Sequence, residues 1–86
     1  MQENVPALPL NAFRLTLTLE KAYPRLDQVL LIELRKQTLN SELKHISRKA
    51  FKDLFKKRRV SIKGQFAVPS SPLAKGTTYV DILGVA

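Results

Sequence analysis

In "ISRKAFKDLFKKRRVSIKGQ", residues 46–65, the apolar spacing changes from helical to strand-like within a few residues, and that change limits the folds open to the chain. Ala50, Phe51, Leu54 and Phe55 recur at helical steps, with Ser47 placed to cap the turn before them. Val60 and Ile62 then alternate with polar neighbours, and Lys63-Gly64 turns the chain back into "QFAV", the pattern of a hairpin. A helix that feeds directly into a hairpin belongs to a mixed domain of helices and strands.

The flanking segments supply the remaining parts. "FRLTLTLE" alternates Phe13, Leu15, Leu17 and Leu19 against Arg14, Thr16, Thr18 and Glu20, a half-buried strand. Pro24 leads into a helix over Arg25 to Gln37, with Leu26, Val29, Leu30 and Leu34 on one stripe. Asp27 falls in its first turn and Arg35 and Lys36 in its last, each at the end where the helix dipole favours its charge. Residues 38–46 form a connector in which Asn40 and Ser41 either stop the helix or cap a short new turn. "PSSPLAKGTT" reads as a loop and "YVDILGV" as a last strand, with no internal repeat. Residues 1–12 contain two prolines and no period, so a flexible lead-in is expected there and a folded domain over residues 13–86. The expected architecture is α+β: two packed helices against a small, mostly antiparallel sheet built from the hairpin and the N- and C-terminal strands.

Length and composition exclude several classes. A chain of 86 residues has room for one core. Without cysteine it has neither a disulfide framework nor a thiolate metal site, which fits a reducing cytoplasm. Its longest apolar runs, such as "VLLI" at 29–32, are far shorter than a membrane span, and no basic-then-apolar leader opens it; a cytoplasmic monomer without membrane partners is expected. His45 stands alone, the seven acids are scattered, and a Ser47–His45 pair lacks a third orienting group, so neither a metal site nor a catalytic constellation is expected. Gly64 and Gly76 are isolated, which leaves no phosphate-cradling loop and no expected cofactor.

Charge placement is more informative than the net charge of +8. From Lys44 to Lys63 there are nine cations and one acid, Asp53, so this segment carries the whole imbalance and the rest of the chain is neutral. A face kept only for solubility would intersperse acids, and a concentrated cationic helix implies a polyanionic partner. Phe51 and Phe55 lie on the core side of the helix, while Phe66 and Tyr79 read as core or edge residues of strands. With no exposed aromatic platform, recognition is expected to rest on phosphate position and nucleic-acid shape. "KKRR" also matches a short nuclear-localisation pattern, and "SRKAFKDLFKK" the composition of a membrane-surface helix, but the first lies inside a folded segment and the second needs its apolar face for the core.

"RLDQVL" opening one helix, "SRKAF" opening another, "RRVSIKG" running into a hairpin and "PSSPLAKGT" before a final strand resemble, in that order, the RNA-binding domain named after ribosomal protein S-four, also called the αL motif. The resemblance covers Phe13 to about Val85, and the leading strand is most similar to the N-terminal domain of large-subunit-type pseudouridine synthases. It implies RNA phosphate contacts from Arg25, Ser47, Arg48, Lys49, Lys52 and Arg59. Lys56, Arg58 and Lys63, cations of the same segment, complete the candidate set. The implied partner is structured RNA, ribosomal or transfer RNA, bound by a recognition module without chemistry of its own. A ribosome-associated quality-control factor and a DNA-binding helix-turn-helix protein are the alternatives. Three departures stand out: Arg58 where the family places glycine, Lys63-Gly64 in place of asparagine-glycine, and a longer stretch between Asp27 and Ser47. The first implies either backbone strain or a different helix end, and the second favours a bulged turn over a tight one.

Overall fold

The computed structural model of the chain describes residues 11–84. In chain order the elements are β1 (Ala12–Leu19), α1 (Leu26–Lys36), α2 (Ser41–Lys44), α3 (Arg48–Lys56), β2 (Val60–Ile62), β3 (Gln65–Phe66) and β4 (Gly76–Leu83). The strands make one antiparallel sheet in the order β1-β4-β2-β3, and α1 and α3 pack on one face of it, an α+β domain of the expected kind. No helix among the described residues is long and apolar enough to cross a membrane.

Register explains which residues become core. Phe13 pairs with Ile82 and Leu15 with Val80 across β1 and β4, while Val60 pairs with Ile82 and Ile62 with Val80 across β2 and β4. Strand alternation puts all of these on one face, where Leu17, Val60, Val80 and Ile82 are fully buried. Onto this face α1 sets Leu26, Leu30 and Leu34, at four-residue steps and fully buried, and α3 sets Phe51, Leu54 and Phe55. Each such leucine contributes roughly 1.5–3 kcal/mol of burial. The Phe51 and Phe55 rings meet edge to face at 5.4 Å between centroids. On the opposite sheet face Arg14, directly across from Asp81, grips both of its carboxylate oxygens at 2.7 and 3.0 Å. Asp81 is only 3% exposed, so its charge is tolerable there because it is paired.

The strand boundaries differ from those the sequence suggests. β1 opens at Ala12, inside the expected lead-in, and β4 at Gly76, inside the expected loop. Both extensions follow from continuous pairing between the two strands, from Ala12 with Leu83 to Leu19 with Gly76. The Gly-Thr-Thr start of β4 resembles a turn locally and becomes strand through its partner. Residues 1–10 of the lead-in, residue 85 of the expected last strand and residue 86 of the expected domain lie outside the described residues. The remaining loop is pinned beside the start of α1 by mutual backbone hydrogen bonds between Tyr23 and Leu73, and by the Asp27 N–H donating to the Pro69 carbonyl at 3.1 Å.

The 38–46 connector is ordered by its polar residues. Asn40 caps α2, its side-chain oxygen accepting from the Leu43 N–H at 3.0 Å, and it exchanges hydrogen bonds with the Gln37 side chain at 2.7 and 2.9 Å. Arg35 donates to the carbonyls of Lys44 and Ile46, tying the end of α1 to the approach to α3. The stretch between α1 and α3 is therefore ordered around one capped turn anchored by buried Leu43.

At the other end of α3, Arg58 takes the left-handed conformation, φ 56°. Its N–H donates to Phe55 at 3.1 Å and the Arg59 N–H donates to Leu54 at 2.8 Å, the paired bonds of a Schellman helix end. The arginine thus occupies the backbone state glycine would favour. The hairpin turn corrects the sequence expectation. Lys63 and Gly64 both have positive φ, 53° and 78°, and Ile62 pairs directly with Gln65, so the turn is a tight two-residue one of type I′ without a bulge.

Candidate nucleic-acid interface

α3 carries both the core contacts and most of the candidate contacts, and helical geometry separates the two. At about 100° per residue, Arg48, Lys52, Lys56 and Lys49 fall within an arc of roughly 100° that begins beside Phe55. Arg48, Lys52 and Lys56 follow at four-residue steps, a straight row with about 6 Å between members. Ser47 caps the helix, its Oγ accepting from the Ala50 N–H at 3.1 Å and keeping its own proton free to donate. All five side chains are exposed, and the four cations make no hydrogen bond or ion pair with any described residue.

The row borders a groove of about 860 Å³ between α1 and α3. Arg48, Lys52 and Lys56 line it from α3 and Arg25 from the residue before α1, over a floor formed by Leu31, Ile32, Phe51 and Phe55. Arg25 is held by a bidentate pair with Asp27 at 3.1 and 3.3 Å. The hydrogen bond from the Arg25 guanidinium holds the Asp27 carboxyl below its usual value despite an opposing effect of burial, with a lesser contribution from the Gln28 N–H at 2.9 Å. Asp27 is thus both a helix-start carboxylate and a partner for Arg25, and it partly offsets the groove's positive charge.

The other candidates stand elsewhere. Arg59 donates through Nε to the Leu83 carbonyl at 2.9 Å and through Nη2 to the Gly84 carbonyl at 2.8 Å, while its own carbonyl accepts from the Leu83 N–H at 2.7 Å. It ties the exit of α3 to the end of β4. A Cβ on Gly84 would lie 3.0 Å from Arg59 Nη2, and Gly84 has φ 73°, so a side chain there is disfavoured on two counts. Arg59 lines a second, smaller groove on the opposite flank of α3 with Lys57, Glu42 and Asp53, where acids balance the cations. Arg58 is exposed at the helix end and Lys63 at the hairpin tip, neither lining the larger groove.

Two surface features escape the sequence reading. Ile32, 55% exposed, belongs to the groove floor, and its only sequence signal is an apolar residue six positions beyond Leu26, off the buried stripe. Phe66, placed by its spacing at core or edge, is on the edge strand β3 and 61% exposed, so an exposed aromatic exists after all. Comparisons of the chain with family models, curated proteins and solved structures give no significant match.

Proposed function

We propose that this chain is an RNA-binding module of the S-four kind, taking structured RNA, ribosomal or transfer RNA, on the groove between α1 and α3. The observation that carries the reading is the row Arg48, Lys52 and Lys56, unpaired among the described residues, with Arg25 lining the same groove and Lys49 alongside. Cations at about 6 Å steps along a rigid helix suit successive phosphates of one strand, and long side chains without acidic partners are free to take them. Arg59 is reassigned from phosphate contact to holding the fold, because two of its three guanidinium nitrogens hold the end of β4 and it lines the opposite groove. Arg58, Lys63 and the Ser47 hydroxyl are secondary contacts at the edges of this surface. The module acts as a cytoplasmic recognition element, alone or as part of a larger RNA-modifying enzyme, and has no catalytic step of its own.

The test is reversal of Arg48, Lys49 and Lys52 to glutamate, followed by binding to a folded ribosomal or transfer RNA. These exposed positions leave the core untouched, so thermal unfolding should stay cooperative while RNA binding is lost. Unchanged affinity would defeat the proposal. Preference for duplex DNA over folded RNA in competition would favour the helix-turn-helix reading instead.

A further inference from the structure

Phosphate contacts explain the rim of the groove but not its floor. Leu31 and Ile32 of α1 and the ring edges of Phe51 and Phe55 line it below the cations. Phe51 and Phe55 are buried, Leu31 is half-buried, and Ile32 is the most exposed of the four. We propose that this floor receives one unpaired base of the bound RNA, seated against Ile32 while the flanking phosphates lie on Arg48, Lys52 and Arg25.

The inference rests on the RNA-binding reading above and adds to it a preference for an unpaired nucleotide. Two observations favour a base over other occupants. The rim carries Arg48, Lys52 and Lys56 from α3 and Arg25 from the residue before α1 against Asp27 alone, a net positive charge that favours an anionic partner. The exposed apolar area centres on one side chain, which suits a single planar base better than the row of anchors an amphipathic peptide helix would bring. An unpaired base also costs less to seat than a paired one, which must first leave its stack.

The experiment compares two RNA hairpins of equal length, one with a fully paired stem and one carrying a single bulged nucleotide, against the natural chain and Ile32→Ser. The substitution is on an exposed helix position and is checked by thermal unfolding. The natural chain should bind the bulged RNA about fivefold more tightly, the order expected when a base covers the exposed half of one isoleucine side chain. Ile32→Ser should bring that ratio close to one while leaving the affinity for the paired hairpin and its salt dependence unchanged. Equal binding of both RNAs by the natural chain, or equal weakening of both by Ile32→Ser, would overturn the base site and leave the RNA-binding reading standing. Absence of salt-dependent binding to either hairpin would overturn both. If the hairpins are not discriminated but an acidic amphipathic peptide binds in an Ile32-dependent way, the floor is a protein-docking site and the proposal is wrong.

Discussion

Replacing Arg58 by glycine should make the protein more stable, an unusual direction for a substitution that removes a whole side chain. Arg58 has φ 56°, a conformation that costs an L-residue about 1–2 kcal/mol relative to the right-handed one. Glycine removes that cost but gains about 0.5–1 kcal/mol of freedom in the unfolded chain, which offsets part of the benefit. Nothing else should change. The side chain is exposed and makes no hydrogen bond with any described residue, and the two bonds that close α3 are made by backbone N–H groups that glycine retains. The net expectation is a gain of about 0.5–1 kcal/mol, or roughly 2–8 °C in Tm for a domain of this size. Arg58→Ala is the control, because it removes the same charge and keeps the Cβ in the left-handed conformation. It should stay within about 0.5 kcal/mol of the natural chain, as surface substitutions do. Paired urea and thermal unfolding of the two variants measures the difference. If Arg58→Gly is no more stable than Arg58→Ala, the left-handed helix end is not under strain and the reasoning fails.

Three further outcomes follow from the placement of charge. Arg59→Ala should lower stability by roughly 2–3 kcal/mol in urea unfolding, since it removes two charge-assisted hydrogen bonds to the end of β4, yet leave the salt dependence of RNA binding unchanged. Asp81→Ala should cost about 3–5 kcal/mol by leaving the Arg14 guanidinium, only 16% exposed, without its carboxylate, measured as a fall in the urea midpoint at constant slope. Asp27, its pKa lowered chiefly by the hydrogen bond from Arg25, contributes stability that is complete above its ordinary value of 3.8 and lost as pH falls through the lowered folded value. An NMR titration of its carboxyl carbon should place the midpoint below 3.8, and Arg25→Gln should move it up; a midpoint at or above 3.8 in the natural chain would contradict the pairing.

What the sequence made legible is what depends on neighbours in the chain. The α3 stripe, the Ser47 cap and the buried Phe51 and Phe55 all follow from spacing within a few residues, and the structure has each in place; Arg58 stood out only against the glycine that the resemblance implies. What it hid depends on partners distant in sequence. Arg14 looked like one more solvent-facing strand residue until the register with β4 set Asp81 opposite it, a contact 67 positions away. Arg59 is indistinguishable from its neighbours within the cationic run, and only the return of β4 past the exit of α3 gives it carbonyls to hold. The bulge expected at Lys63-Gly64 came from reluctance to give lysine a positive φ. Direct pairing of Ile62 with Gln65 overrides that local preference.

The same separation changes how much of the charge run is available to a partner. All nine cations between Lys44 and Lys63 neutralising phosphates would give a log–log salt slope of roughly −6.3 to −8.1. That cannot be the case if α3 must also bury Phe51, Leu54 and Phe55, because the apolar face takes up much of the helix circumference and restricts the row beside the groove. Arg59 is occupied by β4, Lys57 lies on the opposite flank with Glu42 and Asp53, and Lys63 is out at the hairpin tip. Lys44 belongs to α2 and Arg58 sits past the end of α3, neither lining the groove, so of the nine Arg48, Lys49, Lys52 and Lys56 remain; with Arg25 from the start of α1 these five predict a slope of roughly −3.5 to −4.5. Lys56→Ala should reduce that slope by about 0.7–0.9 and change stability by no more than about 0.5 kcal/mol, the converse of Arg59→Ala. A slope near the nine-cation value would mean that RNA wraps around both flanks of α3, and the single-groove interface would have to be abandoned.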